Sequence, residues 1–389
     1  MSEWKEYKIK DIISKITSGG TPKSSEASYY DGSIPWLNTK EINFNRITKT
    51  ERYITEEGLS NSSAKWIPKG SVIVAMYGAT AAKVAYSLID LTTNQACCNL
   101  IIDEDKANSQ FVYYYIQSSY EELLNLACGA AQQNLSLGVI GDFPIYLPPL
   151  NEQKRIVSIL SSLDDKIDLL NRENATFEAM AETLFRQWFI EDAKEDWEEG
   201  TIDMYAIHYK ESVNPQKQPS TMFWHYSIPA FDNGKKPIDE MGEEIQSSKY
   251  IIPSNCILFS KLNPHKDKRV WLILDSVPTN AICSTEFQIV KPKEKEYLYF
   301  LYGWLTNKEN YEEIASGVGG TSGSHQRIDP KSIFTFACPH VDIGILQRYN
   351  KVVKPLFLKQ RENQKQIITL TEQRNRLLPN LMSNVIKYK

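Results

Sequence analysis

The chain has 389 residues, 42% of them hydrophobic, with 44 Lys/Arg against 48 Asp/Glu and a formal net charge of −4. That length accommodates two or more domains of ordinary globular composition. The negative balance argues against a protein that coats nucleic acid non-specifically, though it allows a reader with local basic loops. No apolar run approaches the roughly 18 residues of a membrane span and no charged-then-apolar leader opens the chain, so a cytoplasmic protein is expected.

In chain order, residues 1–150 read as short strands punctuated by Gly, Pro, Asn and Ser, with an aromatic-rich helix over 109–126. Residues 151–193 follow as a spacer helix. Ile156, Leu160, Leu163, Ile167, Leu170, Asn174, Phe177, Ala181, Leu184 and Trp188 recur at gaps of four and three without a break. A 3.5-residue repeat held this long is a coiled-coil seam, and the helix carrying it would be roughly 55–60 Å long. Residues 194–340 repeat the first pattern, with a second helix over 297–314. Residues 341–389 supply the partner seam: Leu346, Tyr349, Val353, Leu356, Gln360, Asn363, Ile367, Leu370, Arg374, Leu377 and Leu381. Five Lys/Arg and nine Asp/Glu in 151–193 face ten and three in 339–389, so the two helices prefer each other to themselves. Asn174 and Asn363 in the seams weaken the coil but fix its register. Pro355 lacks an N–H, which places the start of the second long helix at about that residue.

The two halves form a diverged tandem repeat. Trp4 matches Trp197; Ser33-Ile34-Pro35 matches Ser227-Ile228-Pro229; the run 71–75 matches 256–260; Thr93-Asn94 matches Thr279-Asn280; the polar loop 129–134 matches 317–327. The expected fold is α+β: two similar domains separated by two long helices that form an antiparallel coiled coil, with pseudo-twofold symmetry.

Catalytic signatures are missing. There is no GxxxxGK[ST], GxSxG or HExxH, and the five histidines are scattered through the second half. The six cysteines show no CxxC spacing, which favours free thiols over a zinc site. The only Pro-Pro, at 148–149, lacks the polar and aromatic flank of an amino-methyltransferase loop and reads as a helix-entry turn. No catalytic residues, metal ligands or cofactor-binding residues are expected in this chain.

One set of motifs belongs together: GGTP at 19–22, IPWLNTKEI at 34–42, GSVIVAMYGAT at 70–80, TNQACC at 93–98, AQQNLS at 131–136 and PPLNEQKRI at 148–156. SIPAFDNGKKP at 227–237 and SKLNPHKDKRVW at 260–271 extend it. With these motifs the chain closely resembles the specificity subunit of a type I restriction–modification system over essentially its whole length. The resemblance implies two target-recognition domains, each reading half of a bipartite, asymmetric site in double-stranded DNA. It implies that the helical pair spaces them and docks two modification (methyltransferase) subunits, with restriction (translocase/nuclease) subunits joining the full complex. S-adenosylmethionine and ATP would belong to those partners, and no membrane is involved.

Polar and basic loop side chains are the candidates for phosphates and base edges. In the first domain these are Lys23, Asn38, Lys40, Tyr77, Lys83, Gln132, Gln133 and Asn134. In the second they are Asn233, Lys235, Lys236, Lys261, Asn263, Lys266, Lys268, Arg269, His325, Gln326 and Arg327. The cluster 261–269 is the densest, with Trp271 just beyond it. Competing readings are an enzyme in its own right, a specificity subunit or domain of a related modification-dependent system, and a coiled-coil scaffold. The scaffold leaves two loop-rich domains without a role.

Overall fold

The protein is described by a computed structural model over residues 4–127, 134–266, 268–275, 277–319 and 326–382. Its α+β chain divides into one unit of residues 1–169 with 366–389 and a second of residues 170–365.

The first unit contains β1 (Lys5–Lys8), β2 (Ile13–Ser18), β3 (Tyr30–Leu37), β4 (Asn45–Ile47), β5 (Arg52–Ile54), β6 (Val72–Ala75), β7 (Val84–Ser87), β8 (Thr92–Thr93), β9 (Cys97–Ile102) and β10 (Pro144–Leu147). Its short helices are α1 (Glu56–Ser60), α2 (Ser109–Ser118), α3 (Tyr120–Asn125) and α4 (Leu137–Asp142). The main sheet runs β2-β9-β6-β7-β4, and a smaller one β5-β3-β8. All four residues of β6, VIVA, are buried. Successive side chains of a strand leave opposite faces. Val72 and Val74 accordingly join the core under α2 with Phe111 and Tyr114, while Ile73 and Ala75 join a second core with Leu37 and Ile42. The helix expected over 109–126 breaks at Ser119 into α2 and α3, and Asn108 caps the start of α2 by accepting from the Phe111 N–H at 3.1 Å.

Helix α5 (Leu150–Arg186) leads into the second unit and ends in a π turn, Gln187–Glu191. The second unit then holds β11 (Glu199–Thr201), β12 (Ala206–Tyr209), β13 (Ser212–Val213), β14 (Met222–Tyr226), β15 (Ile238–Met241), β16 (Lys249–Ile251), β17 (Cys256–Ser260), β18 (Val270–Ile273), β19 (Ala281–Cys283), β20 (Phe287–Pro292), β21 (Val318–Gly319), β22 (Arg327–Ile328) and β23 (Ala337–Pro339). Its helices are α6 (Ile228–Asp232), α7 (Leu298–Thr306), α8 (Lys308–Ser316), α9 (Pro330–Phe334) and α10 (Ile343–Met382). The expected helix over 297–314 is likewise divided, at Asn307, whose side chain caps α8.

The main sheet here, β12-β20-β17-β18, repeats the strand order β2-β9-β6-β7. The parallel pair β14/β19 repeats β3/β8, and the closing pair β11/β23 repeats β1/β10. Two of the sequence matches fall out of this register. Ile34-Pro35-Trp36 lies in β3, whereas Ile228-Pro229-Ala230 opens α6, one element after the equivalent strand β14. A Ser followed by X-Pro suits a helix N-terminus as readily as a strand, so the tripeptide alone cannot fix the alignment. Likewise the equivalent of Asn94 is Ser284 and not Asn280: Asn94 donates its N–H to Leu37 O, as Ser284 does to Tyr226 O.

The long helices pair antiparallel. In the second unit Trp188 packs on Tyr349 with ring centroids 5.8 Å apart, while earlier on α5 Glu173 accepts from Asn363 Nδ2 at 3.0 Å, so α10 recedes as α5 advances. Gln360 donates to the Asn174 carbonyl at 2.9 Å and to Glu178 at 3.0 Å. In the first unit Leu160 shares a core with Leu377 and Leu378, and Asp164 pairs with Arg374. Of the seam residues, Ile156, Leu160, Leu170, Ala181, Leu346, Tyr349, Val353 and Asn363 are buried; Leu163, Ile167, Asn174, Phe177, Leu184, Trp188, Leu356, Gln360, Ile367, Leu370, Arg374, Leu377 and Leu381 are half-buried. Phe185, Phe189, Phe357 and Leu378 are buried beside the strict repeat, because near the units the helices face domain core as well as each other. The expectation that the second long helix starts at about Pro355 is wrong: α10 begins at Ile343 and runs through it. Pro355 is exposed and has no N–H to donate to the Lys351 carbonyl one turn back. Buried Val353 and Phe357 hold the helix across it.

Candidate nucleic-acid interface

The same backbone frame is built twice around the loop that follows the central strand. In the first unit Ala75 N–H donates to Lys83 O at 2.9 Å, Met76 N–H to Ala96 O at 2.8 Å and Leu135 N–H to Met76 O at 2.6 Å; Tyr77 and Asn134 form an antiparallel bridge. In the second unit Ser260 N–H donates to Arg269 O at 2.9 Å, Lys261 N–H to Glu286 O at 3.0 Å and Ile328 N–H to Lys261 O at 3.0 Å; Leu262 and Arg327 form the bridge. The turn beneath is shared too. Asn94 Oδ1 accepts from Ala96 N–H at 3.1 Å, and Ser284 Oγ from Glu286 N–H at 3.2 Å. These bonds equate Tyr77 with Leu262, Lys83 with Arg269, Ala96 with Glu286 and Asn134 with Arg327.

The equal frames carry different charges. In the second unit Arg269 makes a bidentate pair with Asp232 at 2.7 and 2.8 Å, which ties the loop to the end of α6. Arg327 makes another with Glu286 at 3.1 and 2.8 Å. Lys268 Nζ donates to the Thr306 carbonyl and lies 5.9 Å from the Tyr311 ring; Lys266 is exposed. In the first unit Lys83 Nζ donates to Asn43 Oδ1 at 2.7 Å, 5.9 Å from the Phe44 ring. Gly78, at φ +81°, turns this loop with open space where a side chain would stand.

Residues 1–179 match the family described as the type I restriction modification DNA specificity domain. Over 98% of its length the chain is 27% identical to the type I restriction enzyme MjaIX specificity subunit of Methanocaldococcus jannaschii, covering 93% of that protein. It is 31% identical over 165 residues, 41% of each chain, to the EcoR124I/EcoR124II specificity subunit of Escherichia coli. The crystal structure of the type I restriction–modification S subunit from M. genitalium shares the fold, with a TM-score of 0.59 over 98% of this chain and 96% of that one at 16% identity. The first 179 residues are thus similar to the DNA specificity domain of type I systems, and nearly the whole chain is similar to a type I specificity subunit.

In this chain the frame gathers Tyr77, Lys83 and Asn134 in one unit and Lys261, Asn263, Gln326 and Arg327 in the other, where Asn263 N–H donates to Gln326 O at 2.8 Å. Asn233, Lys235 and Lys236 sit on the turn after α6, brought beside the loop by the Arg269–Asp232 pair. Lys23 is engaged locally with Glu26 at 3.4 Å and Lys40 with Glu51 at 2.5 Å; Asn38 caps a 3-10 turn by accepting from Lys40 N–H. Gln132, Gln133 and His325 lie outside the described residues. Trp271 is buried against Tyr226 and Phe231, so it belongs to the core.

Sequence reasoning missed the acidic partners Asp232 and Glu286, which lie 37 and 41 residues from their arginines and carry no local signal. It also missed Arg46, which joins β4 to α5 through Asp165 at 2.7 Å and through Asp168. Burial disfavours the Arg46 charge, but its hydrogen bonds to the two carboxylates outweigh that and raise its pKa above the ordinary guanidinium value. Among the described residues no group of three or more His, Cys, Asp or Glu could hold a metal, and no helix is long and apolar enough to cross a membrane.

Proposed function

We propose that this chain is a type I specificity subunit that reads a bipartite DNA site, each unit recognising one half, and that it does no chemistry itself. The observation carrying the reading is the frame built twice with different side chains on it. One scaffold with two sets of readers suits two half-sites of unlike sequence. Lys266 and Lys268 serve as phosphate contacts of the second unit, while Arg269, held by Asp232, braces their loop. The α5/α10 pair docks two modification subunits, which bring S-adenosylmethionine; restriction subunits bring ATP. Because the chain is acidic overall, it binds DNA weakly alone and selectively only in the complex.

The test is methylation sequencing of DNA modified by the subunit assembled with modification subunits. A split motif with two unlike halves is expected. Unchanged modification when this subunit is omitted, or methyl transfer by the isolated chain, would refute the proposal.

A further inference from the structure

The Arg327–Glu286 pair is oriented in a way that a surface ion pair need not be. Glu286 is fixed at its backbone from both sides: its carbonyl accepts from Lys261 N–H and its own N–H is held by Ser284 Oγ. Its carboxylate takes the Nε and Nη2 hydrogens of Arg327, the lateral edge of the guanidinium. A guanidinium has five N–H donors in a rigid plane, so this leaves the terminal edge, Nη1 and the second Nη2 hydrogen, outside that pair. The Arg327 side chain is 47% exposed and stands on β22, opposite Leu262 at the root of the basic loop. Two parallel donors on the terminal edge of a half-exposed guanidinium whose plane is fixed match the O6 and N7 acceptors of a guanine in the major groove. A mere phosphate contact would not require the plane to be fixed.

The first unit supplies the contrast. At the position equivalent to Arg327 it has Asn134, which is exposed, and at the position equivalent to Glu286 it has Ala96. A carboxamide presents one donor and one acceptor side by side, the pattern that adenine N7 and N6 answer, and it needs no carboxylate to hold it.

We propose that Arg327 is a specificity-determining residue that reads one guanine in the half-site of the second unit, with Glu286 as its positioning residue, and that Asn134 reads an adenine at the equivalent place in the other half-site. This rests on the DNA-reading function proposed above.

The experiment is selection of bound duplexes from a randomised library by the complex with modification subunits, for the wild type and for R327A, R327K, E286A and N134A. The wild-type motif should contain a guanine whose preference falls about ten- to a hundredfold in R327A. R327K keeps the charge but not the planar fork and should lose the same preference; E286A should relax that position alone. N134A should relax an adenine in the other half. If R327A weakens all sequences alike and R327K restores binding, Arg327 is a phosphate contact and the inference fails. Variants that leave every position of a clear wild-type motif unchanged also overturn it. A wild-type complex that enriches no motif instead refutes the underlying function. R327K keeps the test decisive if R327A fails to fold.

Discussion

Asp164 is 4% exposed, yet it sits on α5 between two domain elements and carries a charge. It accepts from the Tyr114 hydroxyl at 2.6 Å and from Arg374 Nη1 at 2.8 Å, all within the first unit. Burial, and then the Asp164 carboxylate, raise the Tyr114 pKa, so the phenol stays a donor across the accessible range. The group links α2, α5 and α10 through three residues far apart in sequence. Removing Arg374 strands a buried carboxylate, and R374A should destabilise the first unit by about 3 kcal/mol. Chemical denaturation checks this. The double variant D164N/R374M, which removes both charges, should recover most of the loss. Equal destabilisation by both variants would mean that Arg374 acts through packing alone.

Among the elements, α10 works against its own sequence at Pro355. A proline inside a helix costs about 3 kcal/mol or more through the missing hydrogen bond and the ring's clash with the carbonyl four residues back. The helix continues because burial of Leu346, Tyr349, Val353 and Phe357 in the second unit outweighs that local cost. P355A should therefore raise the thermal midpoint, by up to about 3 kcal/mol of stability, without changing the fold. A fall in the midpoint would show that the proline is needed for the shape of α10 there. At Ser119 and at Asn307 one expected helix becomes two in each unit, and at Asn307 the break coincides with a local side-chain cap.

At the scale of the whole molecule, α5 and α10 are continuous helices of 37 and 40 residues shared by both units. If they set the gap in the proposed bipartite site, inserting one heptad into each at facing positions keeps the seam in phase and lengthens it by roughly 10 Å. That is about three base pairs of duplex. Methylation sequencing should then show both half-sequences retained with the gap between them widened by about that amount, and narrowed by the matching deletion. An unchanged gap would remove the helices from that role.

The tandem plan, the α+β class, the antiparallel helical pair and the likeness to type I specificity subunits were all legible in the sequence, because each is written in local terms: a 3.5-residue period, opposed helix charges, turn residues and short ordered motifs. Ile156, Leu160 and Leu170 announce their burial by spacing alone. The continuation of α10 through Pro355 was not legible, since tertiary burial there overrides a local penalty. Nor was the true register of the repeat: Asn94 and Ser284 are equivalent through backbone bonds to strands some 57 residues away, and different side chains make the same turn. Only the tertiary structure decided which cations are held and by what. Lys23, Lys266, Arg269 and Arg327 look alike as basic residues on loops, but Asp232 and Glu286 reach two of them across the fold, and that pairing depends on the sheet that brings distant strands together.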